Sequence, residues 1–268
     1  MHKLKQRYHY SVILLRELVR TDFKLRYQNS ILGYVWSLLR PLLLFLILYL
    51  VFTKFLKVGN NVPHYPVYLL LGLLLWNFFV EVSMGSVTAI VSKGDLLRKI
   101  NFPKYVVILA VLVGGLINLS LTSVVIVIFM IAGHVAISWQ ALLLIPLLLE
   151  LIVIAITAAF FLSTAFVRYR DVSYIWEVTT QAAFYATPIL YPLTRIPHSF
   201  AKFLILNPLA QVIQDSRYVL ITHASETIST VYGGDRWIWA IPIGFTLIMA
   251  VLTTTYFRRH SKSFAEEV

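Results

Sequence analysis

The sequence predicts an all-α integral membrane protein. Three observations support this fold class: six long apolar runs, a small charged fraction, and basic residues concentrated in a few loops. The 268 residues are 59% hydrophobic and only 13% charged, and their mean hydropathy is +0.79. A soluble domain carries about twice that charged fraction. We therefore expect six transmembrane helices, an amphipathic interfacial helix before them, and two short re-entrant helices before the last span.

The six apolar runs define the expected spans. Each is close to or longer than the roughly 20 residues that a helix needs to cross a hydrocarbon core about 30 Å thick. The runs are 33–53, 66–91, 105–133, 139–167, 174–192 and 237–257. The third and fourth exceed the thickness of a bilayer, so we expect them to tilt or to extend into water.

The basic residues predict the orientation of the chain. Most of the 23 Lys and Arg residues lie in residues 1–29, in the loops 92–104 and 168–173, and in the tail from residue 258. Basic loops stay in the cytoplasm, so we expect both termini and both loops there. The formal net charge of +11 then reflects topology and anionic headgroups. No soluble basic face is left for binding nucleic acid.

The segment 10–28 is too polar to span the membrane, yet its apolar residues recur with a helical period. Val12, Leu15, Val19, Phe23 and Tyr27 fall near one stripe, and polar side chains lie opposite. Asp22 and Arg26 have the spacing of an ion pair on one helix face. We expect an interfacial helix that lies in the headgroups before the first span. A soluble docking helix is the alternative.

The first span begins with aromatic residues and contains a charge. Tyr34 and Trp36 suit its interfacial end, and Arg40 and Pro41 follow about two turns inside. Proline is tolerated in a span where neighbouring helices satisfy the freed carbonyl. Arg40 lies near enough to the surface to extend its side chain to the headgroups. This role, or an ion pair, is favoured over contact with a substrate.

The segment 193–236 is irregular and contains two apolar stretches that are too short to cross the membrane. These stretches, 199–206 and 209–221, follow Pro188 and Pro192. They predict two short helices that enter the outer leaflet and line a water-filled cavity, because irregular backbone at that depth needs protein or water around it. A folded extracellular loop is the alternative.

The fifth run is unusually polar for a helix that faces lipid. It contains Glu177, Thr179, Thr180, Gln181 and Thr187, together with Tyr185 and Tyr191. Polar side chains in a span normally face protein or water, and aromatic faces pack on the C–H faces of sugar rings. We predict a water-filled path along this helix that suits a glycan. Polar contacts between helices of one subunit are the alternative.

The sequence lacks the motifs of several enzyme classes. It has no GxxxxGK[ST] nucleotide-binding loop, no HExxH and no other paired-histidine metal motif. Glu81 and Glu150 lie within spans, where a structural pair or a pore-facing role is favoured over ion coupling. The chain contains no cysteine. We therefore expect no catalytic residue, no metal site and no disulfide in this chain.

Five segments, in this order, resemble the permeases of bacterial polysaccharide-export ABC transporters, a branch of the type-2 ABC exporters. The segments are RYQNSILGYVWSLLRPLLLFLILYLVF (26–52), LLLGLLLWNFF (69–79), INFPKYVVILA (100–110), FVRYRDVSYIWEVTTQAAFYATPILYP (166–192) and LNPLAQVIQDSRYVLI (206–221). Arg40 before Pro41 departs from the pattern, where a neutral or apolar residue is more usual. This departure affects the contacts expected of the first span.

The resemblance implies an export function and an assembly. Its members are permeases that move O-antigen, wall teichoic acid or capsule on a lipid carrier across the bacterial inner membrane. It implies a homodimer with a separate cytoplasmic ABC ATPase, and it is that partner which binds ATP and Mg²⁺. It also implies an amphipathic gate helix, which corresponds to residues 10–28, and a coupling helix, which corresponds to 93–104. The alternatives are an exporter of drugs or small lipids and, less favoured, a membrane glycan transferase or ligase.

The resemblance and the residue patterns together define three sets of candidate residues. The ATPase-coupling set is Asp95, Leu96, Leu97, Arg98, Lys99, Phe102, Pro103, Arg168, Arg170 and Asp171. The substrate-channel set is Gln181, Tyr185, Tyr191, Glu177, Tyr34 and Trp36, and the gate-helix set is Leu15, Val19, Phe23 and Tyr27.

The coupling loop and the path of the glycan have more specific expectations. Asp95 is expected to cap a short helix, with Leu96, Leu97, Ile100 and Phe102 offering apolar side chains to the partner; an ordinary basic loop is the alternative. The glycan path is expected along the dimer seam between the first and fifth spans, with 193–222 as its outer gate. The expected regions are 1–30 for the tail and gate helix, 31–260 for the membrane domain and 261–268 for the C-terminal tail.

Overall fold

The computed structural model describes residues 2–27, 33, 35–58, 62–99, 102–235, 237–261 and 264. All regular elements in these ranges are helical, which confirms the predicted all-α class. The first seven are α1 (His2–Tyr27), α2 (Val35–Leu50), α3 (Tyr65–Val87), α4 (Ala89–Ser92), α5 (Gly94–Lys99), α6 (Tyr105–Ala132) and α7 (Leu144–Arg168). The others are α8 (Val172–Ala186), α9 (His198–Ile205), α10 (Pro208–Leu220), α11 (Ile228–Val231) and α12 (Ala240–His260).

Five helical segments in the described residues are long and apolar enough to cross a membrane. They are Val35–Phe55, Tyr65–Val87, Tyr105–Ala132, Trp139–Arg168 and Trp237–His260. The expected fifth span, 174–192, instead contains the 15-residue α8, which ends before Thr187 and Pro188. A helix of 15 residues is about 22 Å long and does not by itself cross a hydrocarbon core. The count of six spans therefore stays a prediction.

Helix α3 forms the centre of the molecule. It is apolar around its whole circumference and nearly all of it is buried, as expected of a helix that is surrounded by others. Helices α2, α6, α7, α8 and α10 contact it. At about 34 Å, α3 is long enough to connect two separate regions. The irregular segment 187–190 and the end of α10 lie near its first residues, and helices α4 and α5 follow its last residue.

The N-terminal helix packs through a face that differs slightly from the predicted stripe. Leu18 is buried, and Leu15 and Val19 of the predicted stripe pack against the same core. Val12 is instead exposed, because the face turned toward α6 is centred on Leu18. Phe23 is half-buried, and the side chain of Tyr27 lies outside the described residues.

The two short helices predicted before the last span are present as α9 and α10. Pro208 begins α10, and Asn207 caps it by accepting a hydrogen bond from Leu209 N at 3.0 Å. Helix α10 is buried along almost its whole length between α3, α7 and α12. The position of α9 and α10 relative to the membrane stays a prediction.

Candidate functional site

One face of α8 packs on the central helix through aromatic side chains. The Nε1 of Trp176 donates a hydrogen bond to Ser83 Oγ at 3.1 Å. The Trp176 ring lies 6.2 Å from that of Phe79, and the Phe184 ring lies 5.8 Å from that of Trp76. Thr180, between them on this face, is buried. These contacts fix the rotation of α8 about its own axis.

The opposite face of α8 is open and carries three of the predicted channel residues. Glu177, Gln181 and Tyr185 recur at a spacing of four residues, which places them along one helix face. All three side chains are exposed, and Tyr185 is 68% exposed. The sequence predicts that α8 lies in the membrane, where a row of a carboxylate, an amide and a phenol needs either water or another protein surface beside it.

The other predicted channel residues occupy different environments. Tyr191 is half-buried, and its hydroxyl donates a hydrogen bond to Tyr185 O at 2.8 Å. Trp36 is exposed at the start of α2, a helix that packs on α3 and α6 within the chain. Tyr34 lies outside the described residues. The structure therefore brings Glu177, Gln181 and Tyr185 onto one surface, with Tyr191 attached to its end.

The segment 187–190 beyond α8 is irregular, buried and bound by Arg217 of α10. The guanidinium donates through Nη1 to Pro188 O at 2.7 Å and through Nη2 to Ile189 O at 2.6 Å. Its Nε donates to Tyr68 O at 3.1 Å, and its central carbon lies 3.6 Å from the centre of the Tyr68 ring. Arg217 lies in the stretch 209–221, for which the sequence predicts a re-entrant helix but no role for this arginine. The polar series Gln211, Gln214 and Arg217 at helical spacing was the available signal of a buried polar face.

A second polar cluster lies nearby between α7 and α10. Gln211 Nε2 donates a hydrogen bond to Asp215 Oδ2 at 2.6 Å, and both side chains are buried. Burial raises the pKa of Asp215 to about 6. Glu150 of α7 faces this pair and lines a cavity of about 220 Å³ beside α12. Glu150 therefore lies beside a polar cluster between helices of one chain, and its role stays a prediction.

The N-terminal helix is joined to the segment before α5 by an ion pair. Lys93 Nζ lies 2.7 Å from Asp22 Oδ1, so Asp22 binds a residue far along the chain; the side chain of Arg26, its expected partner, lies outside the described residues. A cavity of about 130 Å³ lies beside the pair, between α1, α3 and α6. The pair connects the predicted gate helix to the predicted coupling loop.

The coupling loop exposes charged side chains. Asp95, Arg98 and Lys99 are exposed on α5, and Leu96 is half-buried. Helix α5 begins at Gly94, so Asp95 lies in its first turn and not at its cap, which corrects the expectation. An acid in the first turn still interacts favourably with the helix dipole.

The expectation for Phe102 was wrong. Its side chain is 6% exposed and belongs to the main core, so it is not available to a partner. Pro103 is half-buried, whereas the side chain of Leu97 and all of Ile100 lie outside the described residues.

The second part of the predicted coupling set lies at the same end of the molecule. Arg168 is exposed at the end of α7 and Arg170 and Asp171 are exposed just beyond it, and α4 contacts α7 near this point. Arg170 lies over the Phe166 ring at 5.1 Å. The exposed members of the set therefore form a mostly basic surface at one end of the helical bundle.

Comparisons with known proteins assign the chain to a family. Residues 13–221 match the model of the ABC-2 type transporter family. The chain belongs to this family. The O-antigen export system permease protein RfbA of Klebsiella pneumoniae is 30% identical over 270 residues, covering 98% of both chains. The protein of the same name from Myxococcus xanthus is 30% identical over 82% of this chain and 84% of its own.

A more distant relative of this ABC-2 type transporter also handles a polysaccharide. The polysialic acid transport protein KpsM of Escherichia coli is 24% identical over 82% of this chain and 86% of its own. Membership of an ABC transporter family implies an ABC ATPase partner, and the chain itself has no P-loop sequence. The multi-pass membrane character predicted from the apolar runs agrees with this assignment.

Proposed function

We propose that this chain is the membrane-spanning subunit of an ATP-driven exporter of lipid-linked polysaccharide. It acts as a homodimer in the bacterial inner membrane, with both termini in the cytoplasm. A separate ABC ATPase binds ATP and Mg²⁺. The names of the relatives favour an O-antigen or a polysaccharide like polysialic acid as the exported glycan. Teichoic acid is the alternative glycan.

The open face of α8 carries this proposal. Glu177, Gln181 and Tyr185 are exposed on a helix that packs on the central helix by its other side. Hydroxyl groups of a sugar chain would bind to the polar side chains, and sugar C–H faces would pack on the tyrosine rings. Each aromatic contact contributes only about 0.5–1.5 kcal/mol, so a passing polymer is guided without being trapped.

A second copy of the chain would complete the path. Beyond Arg40, the exposed surface of α2 is apolar, with Leu43, Leu46 and Ile47 open. The open surface of α8 carries the polar row of Glu177, Gln181 and Tyr185 beside Ile175 and Val178. We place the dimer seam between α2 and α8, with the channel residues along the seam and 193–222 at its outer end. An exporter of drugs or small lipids with the same architecture would use a shorter and more apolar path. A glycan transferase would need a cluster of catalytic residues that the sequence does not contain.

Single cysteines on α8 test the path directly. In this cysteine-free chain, Gln181→Cys and Tyr185→Cys are expected to react with a charged, water-soluble thiol reagent during export, because both side chains face water in the path. Tyr191→Cys should react more slowly because Tyr191 is half-buried. Labelling is measured in the assembled complex, with and without the lipid-linked glycan, which should protect the first two positions.

Two controls separate the path from lipid and from the protein interior. Val251→Cys places a thiol on α12 at an apolar position that is 67% exposed, and Thr180→Cys places one on the buried face of α8. Neither should react. Absence of labelling at 181, 185 and 191 in every nucleotide state would reject the path, and protection by a small amphiphile but not by the glycan would favour the drug-exporter alternative.

Exchanging the charges of Asp22 and Lys93 tests the link between the gate helix and the coupling loop. Asp22→Lys or Lys93→Asp alone is expected to lower the amount of glycan exported per ATP hydrolysed by roughly two- to fivefold. This range corresponds to the free energy of a partly exposed ion pair, which is at most about 1 kcal/mol. The double exchange restores an ion pair of reversed polarity and should recover most of the loss. Export and ATP hydrolysis are measured together in the reconstituted complex.

The control for this exchange is Lys24→Asp, which reverses an exposed charge on the same helix and should leave the ratio unchanged. If the double exchange performs no better than the two single ones, the ion pair does not transmit motion.

A further inference from the structure

We propose that Arg217 is a positioning residue that holds the non-helical segment 187–190 against α3 and thereby fixes the end of the glycan path. The effect on export rests on the function proposed above. The effect on the segment does not, because it concerns contacts within one chain.

Three consecutive carbonyls in this segment depend on side chains of other elements. Helix α8 ends at Ala186, and Pro188 has no N–H group with which to extend it. Pro188 O accepts hydrogen bonds from Arg217 and, at 3.2 Å, from Gln214 Nε2; Ile189 O accepts from Arg217; and Leu190 O accepts from the Tyr65 hydroxyl at 2.8 Å. An unpaired carbonyl in such apolar surroundings is costly.

The charge of Arg217 is compensated by dipoles and by an aromatic face. Its side chain is fully buried, and it makes no ion pair with any residue that the structure describes. The carbonyls beyond α8 lie at the negative end of that helix, and the Tyr68 ring covers the guanidinium. Gly72 provides the space, because a Cβ at this position would collide with Nη2.

One side chain therefore joins three elements. Arg217 on α10 binds the backbone of α3 at Tyr68 and the backbone beyond α8 at Pro188 and Ile189. The next residue after the segment, Tyr191, bonds back to Tyr185 O, so the rings at the end of the path depend on this anchor. The planar fork of arginine makes these bonds in fixed directions, which a lysine ammonium cannot reproduce.

The test compares Arg217→Lys with Arg195→Lys in the complete complex with its ATPase. Arg195 is an exposed arginine in the same irregular region, so its replacement is the matched control. Amide hydrogen exchange at Ile189, Leu190 and Tyr191 should become roughly tenfold faster or more in Arg217→Lys, as expected for the loss of hydrogen bonds from a charged donor. Exchange within α7 should stay unchanged, export should fall, and basal ATP hydrolysis should persist.

A second variant reaches the same contact from the other side and keeps the arginine. Gly72→Ala places a methyl group against Nη2, so it should also accelerate exchange at 189–191. Combining it with Arg217→Lys should add less than the sum of the two effects, because the lysine has no Nη2 to displace. If Arg217→Lys does not accumulate, Gly72→Ala alone provides the measurement.

Three outcomes would overturn the proposal. Unchanged exchange at 189–191 would show that the segment does not depend on the arginine. Faster exchange throughout the molecule would show a general structural role in place of local positioning. Faster exchange at 189–191 with normal export would show that the segment 187–190 does not shape the glycan path. Failure of the proposed function would be seen elsewhere, as a lack of glycan-protected labelling on α8.

Discussion

Phe102→Ser is expected to destabilise the chain by about 3–5 kcal/mol, which is the usual cost of removing a large aromatic side chain from a core. Phe102 is 6% exposed and belongs to the main core, so the serine leaves a cavity and adds a buried hydroxyl group. The variant should accumulate poorly and unfold at a lower temperature. Thermal unfolding of the purified complex measures this effect.

Exposed residues of the same loop should behave in the opposite way. Arg98→Ser and Lys99→Ser remove charges from the exposed face of α5, so stability should change by less than about 0.5 kcal/mol. Export per ATP hydrolysed should fall if this face contacts the ATPase. A Phe102→Ser protein of normal stability that hydrolyses ATP without exporting would instead place the phenylalanine at the partner interface.

Gly115→Leu is expected to disrupt the contact between α3 and α6. A Cβ at Gly115 would lie 2.6 Å from Val82 Cγ2 and 3.4 Å from the Phe78 ring, so the two helices must separate to admit a side chain. Overpacking of a core costs about 1–3 kcal/mol and sometimes more. Because α3 carries Tyr68 and Gly72 of the Arg217 contact, the variant should lose export as well as stability.

The adjacent glycine provides the control. A Cβ at Gly114 has no atom within 4 Å, so Gly114→Leu should leave both unfolding temperature and export close to those of the unmodified protein. The two variants differ only in which face of α6 receives the leucine. Equal effects at both positions would show that helix flexibility, and not the close approach of α3 and α6, explains the glycines.

The fold class and most of the helices can be predicted from the sequence alone. The apolar run 105–133 corresponds to Tyr105–Ala132, and 139–167 corresponds to Trp139–Arg168. The stretches 199–206 and 209–221 correspond to α9 and α10. These features follow from length, composition and the positions of Pro and Gly, which are local properties. The same local information indicated the open polar face of α8, since Glu177, Gln181 and Tyr185 have helical spacing.

The contacts between distant side chains could not be predicted and are known from the tertiary structure. Asp22 pairs with Lys93, Phe102 enters the core, and Arg217 binds the backbone beyond α8. The two contacts and the core position of Phe102 all depend on residues that are distant in sequence. Lipid tails are as apolar as leucine, so hydrophobic periodicity cannot separate the face of a helix that meets protein from the face that meets lipid. Packing between helices makes that distinction, and it explains why the charged side chain of Arg217 lies in the interior of the molecule.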